Sequence, residues 1–431
     1  MSYNFDTLKI GAGYNSAEHN NAVSTPIYQT VAYDFDNVEY AADLIGLRRA
    51  GWLYTRVNNP TVAAFEERMK ALDGAAGALA VASGMAAITY TLFNLAEGGG
   101  TILTSPYLYG GTTDCFKKIL PKFGIKIKYA QNIDNPEKLA DEITDDVKAV
   151  YLESIANPNA YLADIDAISE VAHKKGVPVV VDNTVATPYL YKPFEHGADI
   201  VVYSATKGLN GHGNAVAGII LESGKFDWNS PKFPQFAEKY YTLRDINGNS
   251  RSFLDVFPGS PFTMRVRFNY LNYLGAALSP FDAYLVLIGL ETLSERISKQ
   301  VKNAEAIAEY LNSNENVEWV RYSALPGSKY YELYKRDFPK GAGGILSFGF
   351  KGTTEQREKF LDSVKLFHYH VNIGDARSLI VNSPQNTHGE LESDEKKIAD
   401  IPENLIRISA GLEDSADLIA DLKQAFENSL L

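Results

Sequence analysis

Apolar and polar positions divide this chain into alternating strands and helices. Apolar runs of strand length occur at ALAVAS (78–83), TILTS (101–105), KAVYLES (148–154), VPVVVDN (177–183) and ADIVVYSATKG (198–208), and IKIKYA (125–130) alternates as a half-buried strand does. Between them lie helical patterns with start and stop signals. Asn59-Pro60-Thr61 opens VAAFEERMKALDG, closed by Gly74, and Ser83-Gly84 opens a run that ends in the glycines at 98–100. GGTTDCFKKILPKFG (110–124) and DIDAISEVAHKKG (164–176) follow the same grammar. Strand and helix in alternation predict an α/β fold with a mostly parallel sheet.

The regularity fails at both ends of this block. Residues before about 60 read as an irregular arm rich in Gly, Asn, Ser and Pro, and residues 224–276 as an aromatic, irregular segment. Residues 278–311 read as one long helical stretch. GGILSFGF (343–350), LIRISAGLE (405–413) and a terminal amphipathic helix (413–430) predict a smaller α+β C-terminal domain. The expected division is an arm at 1–62, a large domain at 63–275 and a C-terminal domain at 276–431.

Composition narrows the classes. The 431 residues are 45% hydrophobic and 22% charged, enough for a large core. A net charge of −12 argues against nucleic acid as a main partner. One cysteine, Cys115, excludes an internal disulfide framework and a Cys-rich zinc site. No stretch approaches the roughly 20 apolar residues of a membrane span, and MSYNFDTLKIGAG lacks a signal-peptide core. The cytoplasm is the expected location.

Ligands of open α/β sheets bind beyond the carboxyl ends of the strands. Asp182 ends VPVVV there, and Lys207 follows IVVYSAT. Taken singly, a strand-end Asp is more often a turn former, and a loop Lys is usually solvated surface. Together on two successive strands they suit pyridoxal phosphate: a lysine for the aldehyde, an aspartate for the ring nitrogen. Ser83-Gly84-Met85 opens a helix directly after a strand, where free amides and the helix dipole favour a phosphate, although a plain Ser cap is an equal reading. Ser204 and Thr206 flank the lysine with hydroxyls.

YTRVNNPT (54–61), SGMAA (83–87), YGGT (109–112), ANPN (156–159), VVVDNT (179–184), SATKG (204–208) and RISAGLE (407–413) occur in one order along the chain. That set resembles the Cys/Met-metabolism family of fold-type-I pyridoxal-phosphate enzymes, a transferase fold, over nearly the whole length. The resemblance implies that Lys207 carries the cofactor as a Schiff base, Asp182 pairs with its ring nitrogen, and Tyr109 stacks on the ring and assists proton transfer. It places Asn157 near the ring hydroxyl, with Ser83, Gly84, Met85, Thr184, Ser204 and Thr206 around the cofactor and its phosphate. Tyr54 and Arg56 would reach the phosphate site of a neighbouring subunit, making the active site shared and the assembly a homotetramer. Arg407 would bind the substrate α-carboxylate, helped by Asn372 and Tyr54.

Within the family, STPIYQT (24–30), the aromatic insertion after GIILESGKFDW (218–228) and residues 274–294 are similar to the branch that replaces the acetyl group of O-acetylhomoserine with sulfide. The expected substrates are therefore that amino acid and sulfide or a small thiol, giving homocysteine or methionine. A γ-lyase or a cystathionine-type synthase or lyase is the alternative. Gly111 stands where methionine γ-lyases carry a cysteine, while Met85, Gly208 and the loop VNSPQNTHGEL (381–391) depart from the sulfide branch.

Other signals carry less. His368 and His370 have no third ligand at sensible spacing, so no metal site is expected. His212 reads as a turn residue and Cys115 as packing. GAGG (341–344) precedes a strand, which fails the dinucleotide-loop pattern.

Overall fold

The computed structural model describes residues 3–430. Its centre is a seven-stranded sheet: β1 (Gly77–Val81), β2 (Gly100–Thr104), β3 (Ile125–Tyr129), β4 (Val147–Glu153), β5 (Val179–Asp182), β6 (Ile200–Ser204) and β7 (Gly218–Glu222). The spatial order is β1-β7-β6-β5-β4-β2-β3. Strands β2 to β6 run parallel, while β7 runs antiparallel to both β1 and β6. The sequence pattern does not flag β7 as a separate strand. No helix lies between β6 and β7, and a parallel return needs such a crossover.

Alternate residues of one strand sort to opposite faces. Val150, Leu152, Val181 and Val201 join one core; Ala149, Tyr151, Val180, Ile200 and Val202 join the other. Each buried Val or Ile contributes roughly 1.5–3 kcal/mol. Burial on both faces explains why these strands read as unbroken apolar runs.

In the arm, α1 (Phe5–Gly11) and α2 (Val38–Ile45) interrupt what reads as irregular chain. The stretch is too short and too rich in Gly and Asn for its helices to show as periodicity. Next come α3 (Pro60–Asp73), α4 (Gly84–Leu95), α5 (Gly110–Lys118), α6 (Pro136–Glu142) and α7 (Ile165–Lys174). The caps are the expected ones: Asn59 accepts from the Thr61 amide at 3.0 Å, Ser83 from Ala86 at 3.1 Å and Asp164 from Ala167 at 3.2 Å. Residues 224–276 hold short helical turns and a small hairpin, β8 (Tyr240–Arg244) with β9 (Ser250–Arg251).

The long helical stretch is two helices, α8 (Pro280–Glu291) and α9 (Leu293–Asn312), broken at Thr292. Apolar spacing runs on through the break, so the pattern hides it. Beyond it, β10 (Val317–Arg321), β11 (Ile345–Phe350), β12 (His368–Tyr369), β13 (Leu379–Asn382) and β14 (Leu405–Ser409) form a second sheet in the order β10-β11-β14-β13-β12. The terminal helix α10 (Ser415–Ser429) packs Leu418, Leu422 and Phe426 into the core of that sheet.

One buried acid gives the fold a pH dependence. Asp73 is buried at the end of α3; its Oδ2 accepts the Tyr203 hydroxyl and its Oδ1 has no partner among the described residues. Burial pushes its carboxyl up to about 7, against the lowering effect of the Tyr203 bond. The folded-state value lies above the ordinary 3.8, so this contribution is fully present below that pH and is lost as pH rises through about 7. Asp73→Asn keeps an acceptor for Tyr203 and carries no charge. Its thermal midpoint should overtake the parent's as pH rises from 4 to 8, an advantage on the order of a few kcal/mol. A difference between the two that does not change with pH would refute this.

Candidate active site

The carboxyl ends of β4, β5 and β6 carry Glu153, Asp182 and Ser204, with Glu153 and Asp182 paired in register on neighbouring strands. They open onto a cavity of about 290 Å³. Its wall includes Ser83, Gly84, Met85, Tyr109, Asn157, Asp182, Thr184, Ser204, Thr206, Lys207, Asn372 and Arg407, twelve of the residues singled out from sequence.

Lys207 follows β6, and its Nζ donates to Asn372 Oδ1 at 2.6 Å. Burial, with the nearby Arg407 charge second, lowers its ammonium to about 8. A buried lysine so poised is a nucleophile toward a carbonyl. Arg296 of α9 secures the turn behind it: the guanidinium donates to the carbonyls of Gly208 at 2.9 Å, Leu209 at 3.2 Å and Gly289 at 2.6 Å.

Asp182 accepts the Thr184 amide at 3.0 Å and the Tyr151 hydroxyl at 3.4 Å. Its carboxyl is raised by burial. The Glu153 carboxyl lies well above the usual range, through burial first and the neighbouring Asp182 second. Among the described residues neither acid has a salt-bridge partner. A cationic ring nitrogen beside Asp182 would supply the missing charge.

The start of α4 forms part of the cavity wall and is suited to an anion. The amides of Gly84 and Met85 stand in its first turn, where no carbonyl lies below them within the helix. Gly84 lies so close to β6 that a Cβ there would sit 2.6 Å from the Ser204 Cβ. Only a glycine lets the helix start approach Ser204 this closely. Thr184 Oγ1 accepts the Ser204 amide at 2.8 Å and so joins the ends of β5 and β6.

Arg407 of β14 is buried on the opposite wall. It donates to Asn157 Oδ1 at 3.1 Å and to the Asn372 carbonyl at 2.8 Å, while its Nε has no partner among the described residues. Burial lowers it to about 10, still a cation at neutral pH.

Tyr54 and Arg56 are not part of this wall. Tyr54 is exposed, and the Arg56 guanidinium lies 4.9 Å over its ring. The loop at 381–391 does not line the cavity either. It acts on the wall from behind: His388 meets the Leu108 carbonyl at 3.2 Å, and Gly110 packs on the Thr387 carbonyl. Sequence reading passed over Glu153 and Arg296. Glu153 ends KAVYLES as Asp182 ends VPVVV, so the same strand-end signal could have found it. Arg296 sits in the helical pattern like any surface charge.

His368 and His370 are exposed, their rings 6.5 Å apart. Cys115 is buried, and burial pushes its thiol up to about 11. His212 Nδ1 contacts the Asn210 carbonyl at 2.7 Å within its turn.

A lysine, an uncompensated aspartate and a helix-start anion cradle around one cavity define a fold-type-I pyridoxal-phosphate enzyme. The chain belongs to the Cys/Met metabolism PLP-dependent enzyme family, whose sequence model matches residues 6–427. It is 40% identical over 432 residues to the sulfhydrylase FUB7 of Fusarium oxysporum, covering 99% of this chain and 98% of that one. It is 40% identical over 429 residues to the homocysteine synthase of Schizosaccharomyces pombe, covering 99% of each. A Campylobacter jejuni crystal structure, assigned as an O-acetylhomoserine (thiol)-lyase and holding N′-pyridoxyl-lysine-5′-monophosphate, superimposes with a TM-score of 0.93. It shares 38% identity and covers 99% of this chain and 100% of that one. No helix among the described residues is long and apolar enough to cross a membrane.

Proposed function

We propose that this chain catalyses γ-replacement on O-acetylhomoserine: sulfide, or a small thiol, takes the place of acetate at Cγ, and homocysteine, or methionine, is formed. The observation that carries this reading is the convergence of Lys207, Asp182, Tyr109 and Arg407 on one cavity. Similarity to a homocysteine synthase along the whole chain supports the choice of substrate.

Pyridoxal phosphate, when bound, supplies the electron sink that makes protons at Cα and Cβ removable. Asp182 would face its ring nitrogen, Tyr109 its ring and Asn157 its hydroxyl. Ser83, Gly84, Met85, Ser204 and Thr206 would hold its phosphate, with Thr184 beside them. Arg407 receives the α-carboxylate and orients the amino acid, with Asn372 alongside. Lys207 Nζ moves the Cα proton away from that carbon and, once it has passed this proton on and is neutral again, takes a Cβ proton. Acetate leaves from Cγ with the bonding pair, sulfide adds as HS⁻ at the same carbon, the Lys207 ammonium returns its proton to Cβ, and the neutral amine then carries the earlier proton back to Cα. A group whose pKa is about 8 exchanges protons readily near neutrality.

The arm belongs to the same proposal. Val31, Phe35, Val38, Trp52 and Tyr54 are exposed along it, an apolar surface suited to a second copy of this chain. Tyr54 and Arg56 would then complete a neighbour's phosphate site, in a cytoplasmic homotetramer whose subunits divide near residues 62 and 275.

Product identification tests the reading. O-acetylhomoserine with sulfide should give homocysteine and acetate in equal amounts, and methanethiol should give methionine. Ammonia and an oxo acid without a thiol product would make it a γ-lyase. Cystathionine formed from cysteine in preference to homocysteine from sulfide would make it a cystathionine-type synthase.

A further inference from the structure

Glu153 is the one acidic or basic residue of the cavity wall without an assigned part. Its side chain is buried at the end of β4. Oε1 accepts the Tyr109 amide at 2.6 Å, and Oε2 accepts the Asn157 amide at 3.0 Å. No other group among the described residues donates to it, and no cation pairs with it.

The two residues it grips come from different segments, Tyr109 before α5 and Asn157 after β4. Tyr109 is the first residue outside α5, and its own side chain makes no cap bond there. Its backbone is held on two sides: Glu153 accepts its N–H, and its carbonyl accepts the α5 amides of Thr112 at 2.9 Å and Thr113 at 3.1 Å. Its ring lies against Gly111, where a Cβ would come within 2.6 Å of Tyr109 Cε1. Asn157, through its side chain, bonds Arg407. One carboxyl group thus links Tyr109 to the asparagine that bonds Arg407.

The chemistry explains why the residue is an acid. Two amide donors converge on one side chain and need two acceptors. A carboxyl group offers both, one lone pair on each oxygen. Glutamine offers one acceptor and turns an N–H toward the other donor. A buried acid with no counter-ion is costly, and a neutral filler would serve packing better. Its presence points to the two bonds it makes.

We propose that Glu153 is a positioning residue of the active site, whose single carboxyl group fixes the backbones of Tyr109 and Asn157 and so sets the ring-facing tyrosine and the arginine-binding asparagine together. The proposal rests on the cavity being the cofactor's seat and is independent of which acyl donor or thiol is used.

The test is Glu153→Gln in the holoenzyme, read first on the cofactor. The visible circular-dichroism band of bound pyridoxal phosphate, which reports how the ring is held, should fall by about half or more. The affinity of the apoenzyme for added pyridoxal phosphate should weaken about tenfold, and kcat/KM should fall about tenfold. In a Tyr109→Ala background the same change should cost about threefold or less, because part of what it positions is already gone. An unchanged dichroic band with unchanged cofactor affinity overturns the proposal. So does an equal loss in both backgrounds, which is what a merely structural role gives. Should Glu153→Gln fail to fold, Glu153→Asp keeps the carboxyl group but cannot reach both amides. The same readouts must then move in the same direction, and their failure to do so overturns the proposal equally. Because the cofactor readouts need no substrate, a wrong reading of the reaction leaves them intact.

Discussion

Lys207→Ala is expected to abolish the borohydride-fixable chromophore and to lower turnover at least about 10³-fold. Lys207 is the only lysine in the cavity wall among the described residues, so no neighbour can take its place. Its Nζ is held by Asn372, and burial lowers its ammonium to about 8. The reactive form is the neutral amine, whose fraction grows as pH rises through that value. Attachment of pyridoxal phosphate to the apoenzyme should therefore quicken between pH 7 and 9 and then level off. Absorbance and intact mass after borohydride treatment measure the first outcome, and stopped-flow absorbance the second. An unchanged fixable chromophore in the variant would mean that the cofactor is attached elsewhere.

Arg407→Leu should reduce kcat/KM for the amino acid about 100- to 1000-fold, mainly through KM. The guanidinium is buried, stays cationic, and spends only part of its donor set within the protein. Its unpartnered Nε is a donor left for an incoming carboxylate. Removing the side chain also leaves Asn157 Oδ1 and the Asn372 carbonyl without a donor that each now uses, which adds to the cost. Arg407→Lys should recover only part of the loss, because an ammonium cannot reproduce the planar fork. The diagnostic measurement compares an amino acid with its decarboxylated amine as ligands. The parent should favour the acid strongly and Arg407→Leu should not. A KM within about threefold of the parent's would remove Arg407 from this role.

Much of the site was legible before any fold. Lys207, Asp182 and Ser83 each follow an apolar strand and precede a turn or a helix start, and position relative to a strand end is a local property. Other features were not. The break at Thr292 leaves the apolar spacing intact, yet it sets the direction from which Arg296 reaches the carbonyls of Gly208 and Leu209. The loop at 381–391, whose residues depart from the sulfide branch, packs behind Tyr109 through His388 and Gly110. Glu153 carried the same signal as Asp182, but its value lies in two amides 44 and 4 residues away.

By itself the amino-acid sequence determined the alternation of strands and helices, the helix caps at Asn59, Ser83 and Asp164, and the residue types that a pyridoxal-phosphate site needs. These depend on periodicity and near neighbours, which a linear chain records. Tertiary structure alone decided how β7 returns antiparallel, which walls face each other, and which groups share a bond across the cavity. Those contacts join residues far apart in the chain, where no local pattern specifies distance. The lysine after β6 became a candidate nucleophile from its place in the sequence. Its lowered pKa, its hold by Asn372 and the arginine that secures its turn come from the packing around it.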